Sequence, residues 1–189
     1  CATPSKPERA GHILQIRQLL GVRHRMKVRR YQESDWSRLC AIHDLARMDE
    51  LRGAGLVEAF LPLEVAAEKE GLFDYEILVA EQNEAILGFV AHNHEELTWL
   101  YVDPSCYRMG VGSLLAKTVL DSRPEGICIE VLQGNRAALD FYKSIGFVET
   151  KVVSGRMPGN EQYPVTVHCL DYQAMPNNSS KPTPLRGAA

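Results

Sequence analysis

Two apolar runs, residues 76–81 and 85–93, are separated only by Gln82-Asn83-Glu84. So short a break, centred on an asparagine, is a hairpin signature, because only a tight turn reverses the chain in that space. The chain is therefore committed to a sheet, and its other elements must pack against that sheet. The pattern around the hairpin alternates. Lys27–Tyr31 reads as a short strand. Ser34 is placed to cap a helix running to about Leu51, with Trp36, Leu39, Ile42, Leu45 and Ala46 on one face, and Gly53 and Gly55 break it. Pro62 reads as the first turn of a second helix that ends at Gly71. Beyond the hairpin follow a strand over 96–102, a helix over 112–121, a strand over 127–132, a helix over 136–145, and closing strands over 147–154 and 164–172. The order β-α-α-β-β-β-α-β-α-β-β predicts an α/β domain, a mixed sheet with helices on its faces.

With 189 residues, 45% of them hydrophobic, the chain can bury one core but not comfortably two. Its 21 basic and 24 acidic side chains leave a net charge of -3, which offers no general attraction to nucleic acid or to an anionic membrane. No apolar run approaches the roughly 20 residues of a membrane-spanning helix. Cys1, Cys40, Cys106, Cys128 and Cys169 are odd in number and scattered. That pattern fits free thiols in a reducing, cytoplasmic setting. His92 and His94 stand at i, i+2 on one strand with no third ligand nearby in sequence, so no metal site is expected. Residues 1–25 read as an extension ahead of a start at Met26. Residues 173–189, rich in Pro, Asn and Ser, have the composition of a disordered tail, which leaves 26–172 as the domain.

The chemistry concentrates where the strand ending at Val102 runs through Asp103-Pro-Ser-Cys-Tyr-Arg-Met-Gly110-Val-Gly112-Ser113 into a helix. A helix start presents free N–H groups and a positive dipole end, a natural site for phosphate oxygens. Glycines remove side chains from the path of a pyrophosphate, and Arg108 can add a charge-assisted contact. Three readings fit the loop alone. It can be a dinucleotide site, since Glu130 falls about 20 residues on. The third glycine position of that fingerprint is Leu115, however, and no second half of such a fold follows. It can be a plain turn, or a different phosphate cradle.

A second segment, Asn135-Arg-Ala-Ala-Leu-Asp-Phe-Tyr-Lys-Ser-Ile-Gly-Phe147, follows the next apolar strand. With the loop, it resembles the GNAT superfamily of acetyl-CoA-dependent N-acetyltransferases over about residues 26–172. In that family an Arg/Gln-x-x-Gly-x-Gly/Ala loop binds the CoA pyrophosphate, and an Asn-x-x-Ala-x-x-Phe-Tyr-x-x-x-Gly-Phe segment completes the groove. Asn135, Ala138, Phe141, Tyr142, Gly146 and Phe147 match the second motif, and the opening Val28-Arg-Arg-Tyr-Gln-Glu-Ser-Asp-Trp36 resembles a family N-terminus. The loop departs at its first position, where Tyr107 stands and the arginine follows as Arg108.

The resemblance implies a mixed, mostly antiparallel sheet with a splayed central strand pair, flanked by helices. It implies acetyl-CoA as co-substrate, held by backbone at Leu100, Tyr101 and Val102, by Tyr107, Arg108, Met109, Gly110, Val111, Gly112 and Ser113 around the pyrophosphate, and by Asn135 and Tyr142. It also implies Tyr142 as the acid that protonates the leaving thiolate and Glu96 as the base. Attack needs a neutral amine, while alkylamines are mostly protonated at neutral pH. Glu96 shares a face with Leu100 if the strand alternates regularly. A solvated strand-end residue is the competing reading, with Glu95, His94 and Glu130 as further candidate bases. The acceptor is a primary amine, on a small molecule or a peptide. Its site is expected between the first two helices and the loop 156–163, where Asp49, Glu50, Glu58 and Glu64 would suit a cation. Neither nucleic acid nor membrane is an expected partner, and a homodimer stays open. The alternative function is a non-catalytic acyl-CoA-binding sensor or interaction module.

Overall fold

The computed structural model describes residues 25–123 and 125–173. Of the expected terminal segments 1–25 and 173–189, residues 1–24 and 174–189 lie outside the described residues. Two antiparallel sheets form the frame. In the first, β1 (Lys27–Arg30), β2 (Glu76–Gln82), β3 (Ala85–His92) and β4 (Leu97–Val102) lie in sequence order. In the second, β5 (Ile127–Leu132), β7 (Pro164–Tyr172) and β6 (Val148–Arg156) lie in the order β5-β7-β6. The hairpin turn is the two-residue kind that matches strand twist, with Asn83 and Glu84 at φ 52° and 65°.

Helix α1 (Trp36–Ala54) and the short α2 (Leu63–Lys69) cover one face of the first sheet, while α3 (Val111–Asp121) and α4 (Arg136–Ser144) belong to the opposite core. Leu39 and Ile42 of α1 are buried against Val79, Phe89 and Trp99, and Ala46 is buried on the same helix. Leu45, expected on that face, is 57% exposed, because one residue beyond a buried stripe turns the side chain about 100° away. The N-terminal signal also lies elsewhere than Ser34. Asp35 accepts the N–H of Gln32 at 2.9 Å and a bidentate pair of bonds from Arg29, so the carboxylate closes the turn that precedes Trp36. Pro62 caps α2 from outside rather than forming its first turn, and α1 continues through Gly53 to stop at Gly55, whose φ of 70° ends the helix.

The two sheets touch where β4 and β5 begin. A single parallel bridge, Glu96 to Cys128, joins them, reinforced by the Cys128 N–H donating to the Glu95 carbonyl at 2.9 Å. Beyond it the strands belong to different sheets, so β4 and β5 splay apart. The pairing of β3 with β4 slips between Ala91 and His92, with Ala91 opposite Trp99 but His92 opposite Leu97. That slip makes Thr98 the extra residue of a bulge and reverses the alternation. Leu97, Leu100 and Val102 pack with the α3–α4 core, whereas Trp99 and Tyr101 pack with α1. Glu96, bonded to Tyr75 of the α1-side core, therefore does not share Leu100's face as regular alternation predicts.

Candidate active site

The splay leaves backbone groups unpaired. The Asp103 N–H donates to the Leu87 carbonyl at 2.8 Å, which makes 87 and 103 a hydrogen-bonded pair. Antiparallel alternation then turns the amides of Tyr101 toward β3 and those of Leu100 and Val102 toward the gap. The turn after β4 is built by Asp103, whose carboxylate accepts the Ser105 N–H at 2.8 Å and the Ser105 hydroxyl at 2.6 Å. Those bonds and the Arg38 guanidinium hold the Asp103 carboxyl below its ordinary range, in the order Ser105 hydroxyl, Ser105 amide, Arg38 against an opposing burial effect. The chain then passes through Arg108 at φ 65°, Met109, and Gly110 at φ 86° into α3. Gly110 tolerates that conformation freely.

The first bond of α3 runs from the Leu114 N–H to the Gly110 carbonyl. Among the described residues, the N–H groups of Gly110, Val111, Gly112 and Ser113 meet no protein acceptor. Open space faces Gly110, and a side chain at Gly112 would enter the corner between Leu100, Val102 and Phe141. Four free donors at the positive end of an eleven-residue helix, beside a strand with free amides, fit an extended ligand with phosphates at one end and amides along its length. Arg108 and Met109 are exposed. Tyr107 is 45% exposed, and burial, then Asp49 and Glu50, push its hydroxyl up to about 12.

Across the gap, Tyr142 on α4 is 4% exposed and packs edge-on against Phe141 and Phe147 at 5.0 and 5.3 Å. Its hydroxyl makes no hydrogen bond among the described residues. Burial first, then the charges of Glu50 and the Tyr101 hydroxyl group, hold that hydroxyl above its ordinary pKa, so it keeps its proton. Asn135 caps α4 by accepting the Ala138 N–H at 3.1 Å.

Glu96 sits at the vertex of the splay. Asn93 Oδ1 accepts both the Glu95 and Glu96 N–H groups, and the Tyr75 hydroxyl donates to Glu96 Oε1 at 2.7 Å. The same hydrogen bond pushes Tyr75 up to about 12. Of the alternative bases, His94 and Glu95 are exposed beyond the end of β3. Glu130 is exposed but lines the same cavity as Glu96. That cavity has a volume of about 330 Å³ and lies between α1, α2, β4, the second half of β5, the start of β7 and the β6–β7 loop. The loop is strapped over it by Lys69 Nζ on the Gly159 carbonyl, Asn160 on the Ala59 carbonyl and the Tyr163 hydroxyl on the Glu58 carbonyl. Of the acidic residues expected at the entrance, Glu50 lines the cavity, while Asp49, Glu58 and Glu64 do not.

Several wall residues carry no sequence motif. His43, Arg47 and Glu50 recur at four- and three-residue spacing and so share the inner face of α1. Charged residues among Leu39, Ile42 and Ala46 were the available signal. Arg47 Nη1 donates to Glu50 Oε2 at 2.7 Å, and the Tyr101 hydroxyl reaches the same oxygen at 3.4 Å. Burial lowers the pKa of His43 despite its bond to Asp44, leaving it neutral. Glu70, beyond the end of α2, is pushed up to about 7 by burial. Among the described residues, no group of three or more His, Cys, Asp or Glu is arranged to hold a metal, and no helix is long and apolar enough to cross a membrane.

Residues 73–149, which include the splay, the loop and the Asn135–Phe147 segment, match the model of the acetyltransferase (GNAT) domain. YafP, an uncharacterized N-acetyltransferase of Escherichia coli (strain K12), is 27% identical over 129 residues, covering 67% of this chain and 83% of its own. The peptidyl-lysine N-acetyltransferase YjaB of Salmonella typhimurium is 32% identical over 74 residues, 39% of this chain and 50% of its own. A GCN5-related N-acetyltransferase from Rhodopseudomonas palustris shares the fold with a TM-score of 0.66 at 17% identity, over 80% of this chain and 98% of that one. The structure of yncA from Salmonella typhimurium with its cofactor acetyl-CoA shares it with a TM-score of 0.56 at 16% identity, over 84% and 99%. The dinucleotide reading of the glycine loop falls with the antiparallel sheets, and residues 73–149 of this chain carry the match to the acetyltransferase (GNAT) domain.

Proposed function

We propose that this enzyme transfers the acetyl group of acetyl-CoA directly to the primary amine of a small, cationic molecule. The observation that carries the reading is the junction of the two spaces. The β4–β5 splay, with its free amides and the four free donors of α3, suits the cofactor. The acid-lined cavity beside it suits the amine. Leu100 and Val102 would hold the amide-bearing arm through their backbone, with Tyr101 between them presenting its side chain to the cavity. Residues Tyr107 to Ser113 would hold the pyrophosphate, chiefly through the N–H groups of Gly110, Val111, Gly112 and Ser113. Asn135 orients the start of α4 and, with it, Tyr142.

When bound, the thioester supplies an activated acetyl carbon. Glu96, fixed by Tyr75 and the Asn93 cap, takes a proton from the incoming ammonium directly or through one water. Tyr142, protonated and without a hydrogen-bond partner among the described residues, gives a hydrogen bond or proton to the departing sulfur. Among the described residues of the cavity wall, Glu50, Glu70, Glu96 and Glu130 outnumber Arg47, which favours a cation. The free thiols of Cys40, Cys106, Cys128 and Cys169 suit a cytoplasmic setting.

Thiol release from acetyl-CoA across alkylamines, aminoglycosides and lysine peptides tests the assignment. Turnover that depends on a small amine is the expected result. Preference for a lysine peptide, the acceptor class in the name of the relative YjaB, would transfer the assignment to protein amines. Cofactor binding with no turnover on any amine would leave the acyl-CoA sensor.

A further inference from the structure

The four carboxylates of the cavity are not equivalent. Glu50 is paired with Arg47 and receives the Tyr101 hydroxyl. Glu96 receives the Tyr75 hydroxyl, and Glu130 receives the Cys169 thiol at 3.7 Å. Glu70 makes no side-chain hydrogen bond or ion pair among the described residues, although it lines the cavity and is half-buried. The charges that act on it are Arg47 and Glu50 from α1 and Glu161 from the β6–β7 loop. Arg47 favours its ionised form, but burial outweighs Arg47, and Glu50 and Glu161 add to burial, so the carboxyl is raised to about 7. A carboxylate withdrawn from water without a partner is costly, and an arriving cation removes that cost.

The reacting amine cannot serve as that cation, because it must lose its charge before it attacks. The group that stays paired with Glu70 through the reaction has to keep its proton. We propose that the acceptor carries a second cationic group and that Glu70 selects for it, which makes the substrate class an aliphatic diamine or longer polyamine acetylated at one nitrogen. The apolar wall of Leu61, Trp99, Met157, Val165 and Val167 gives methylenes between the two nitrogens a surface to lie on. In the reaction a nitrogen–carbon bond forms and the carbon–sulfur bond breaks. The reacting ammonium loses two protons, one ending on the CoA thiol and one in solvent, while the second ammonium is unchanged. This inference deepens the small-amine reading and rests on it.

The test compares kcat/KM for n-alkylamines and α,ω-diamines of matched length, with a lysine peptide alongside, in the wild-type chain and in Glu70→Gln. Wild type should favour the diamine by roughly tenfold or more, as expected for one charged hydrogen bond. Glu70→Gln should lower kcat/KM for the diamine about tenfold more than for the monoamine, mainly through KM. The wild-type preference should shrink from about pH 8 to about pH 6 as Glu70 takes up its proton, and it should be flat in the variant. That pH comparison stands on wild type alone should the variant misfold. Equal use of mono- and diamines, an equal loss on both in Glu70→Gln, or a faster lysine peptide would overturn the inference. Absence of turnover on every amine would instead overturn the function on which it rests.

Discussion

Tyr142 and Glu96 are proposed to handle opposite halves of the proton traffic, and their surroundings differ accordingly. Tyr142 is enclosed by aromatic rings and keeps its proton, so removing the hydroxyl leaves the packing intact. Tyr142→Phe should lower kcat by about 10²–10⁴-fold with little change in acetyl-CoA affinity, and a variant with full turnover would make the residue a packing element. Glu96→Gln keeps the hydrogen bond from Tyr75 but removes the base. Its rate should fall near neutral pH and recover partly at high pH, where more of the amine is neutral, and a profile that overlays wild type excludes Glu96. Glu70 adds a stability signature. Its folded pKa of about 7 lies above the ordinary 4.5, so between those values the folded state holds a proton that the unfolded chain has lost. Stability should therefore decline as pH rises through that window, more steeply in wild type than in Glu70→Gln, and parallel melting profiles would contradict the burial of this group. At this scale the motif residues were legible because the resemblance places them one by one. Arg47 and Glu70 were not, since a charged residue in a helix looks the same whether it faces water or a cavity.

At the scale of the element, the start of α3 and the bulge in β4 set the site. Gly112 stands where a side chain would wedge between Leu100, Val102 and Phe141, within 3.8 Å of all three. Gly112→Val should weaken CoA binding by at least tenfold while circular dichroism shows the fold retained, because the cradle narrows and the free amides stay in place. Undiminished affinity in a folded variant would make the loop only a turn. The α3 start was readable from glycine spacing, since the physics of a helix N-terminus is local. The bulge was not. A one-residue slip depends on how β3 pairs with β4, and no residue between Glu96 and Val102 announces it. Regular alternation put Glu96 with Leu100, whereas the slip puts it on the cavity side with Trp99 and Tyr101. The base assignment becomes easier for that reason, since Glu96 now faces the proposed amine.

Across the whole molecule, function follows from two sheets that meet at one vertex and separate. The order of elements was legible because apolar periodicity and turn residues report secondary structure directly. The splayed strand pair came only with the family resemblance, and the division into a four- and a three-stranded sheet was not legible at all, since strand partners far apart in sequence leave no local trace. Free amides on the inner side of β4 would be costly if the gap were merely a packing fault, and acetyl-CoA is the ligand proposed to fill it. The most direct test is an amide-resolved NMR titration of the protein with acetyl-CoA. The largest shifts should fall on Leu100, Val102 and residues 110–113, with Tyr142 following, and titration with NAD should leave these signals in place. Shifts confined to other surfaces, or none at saturating acetyl-CoA, would contradict the account.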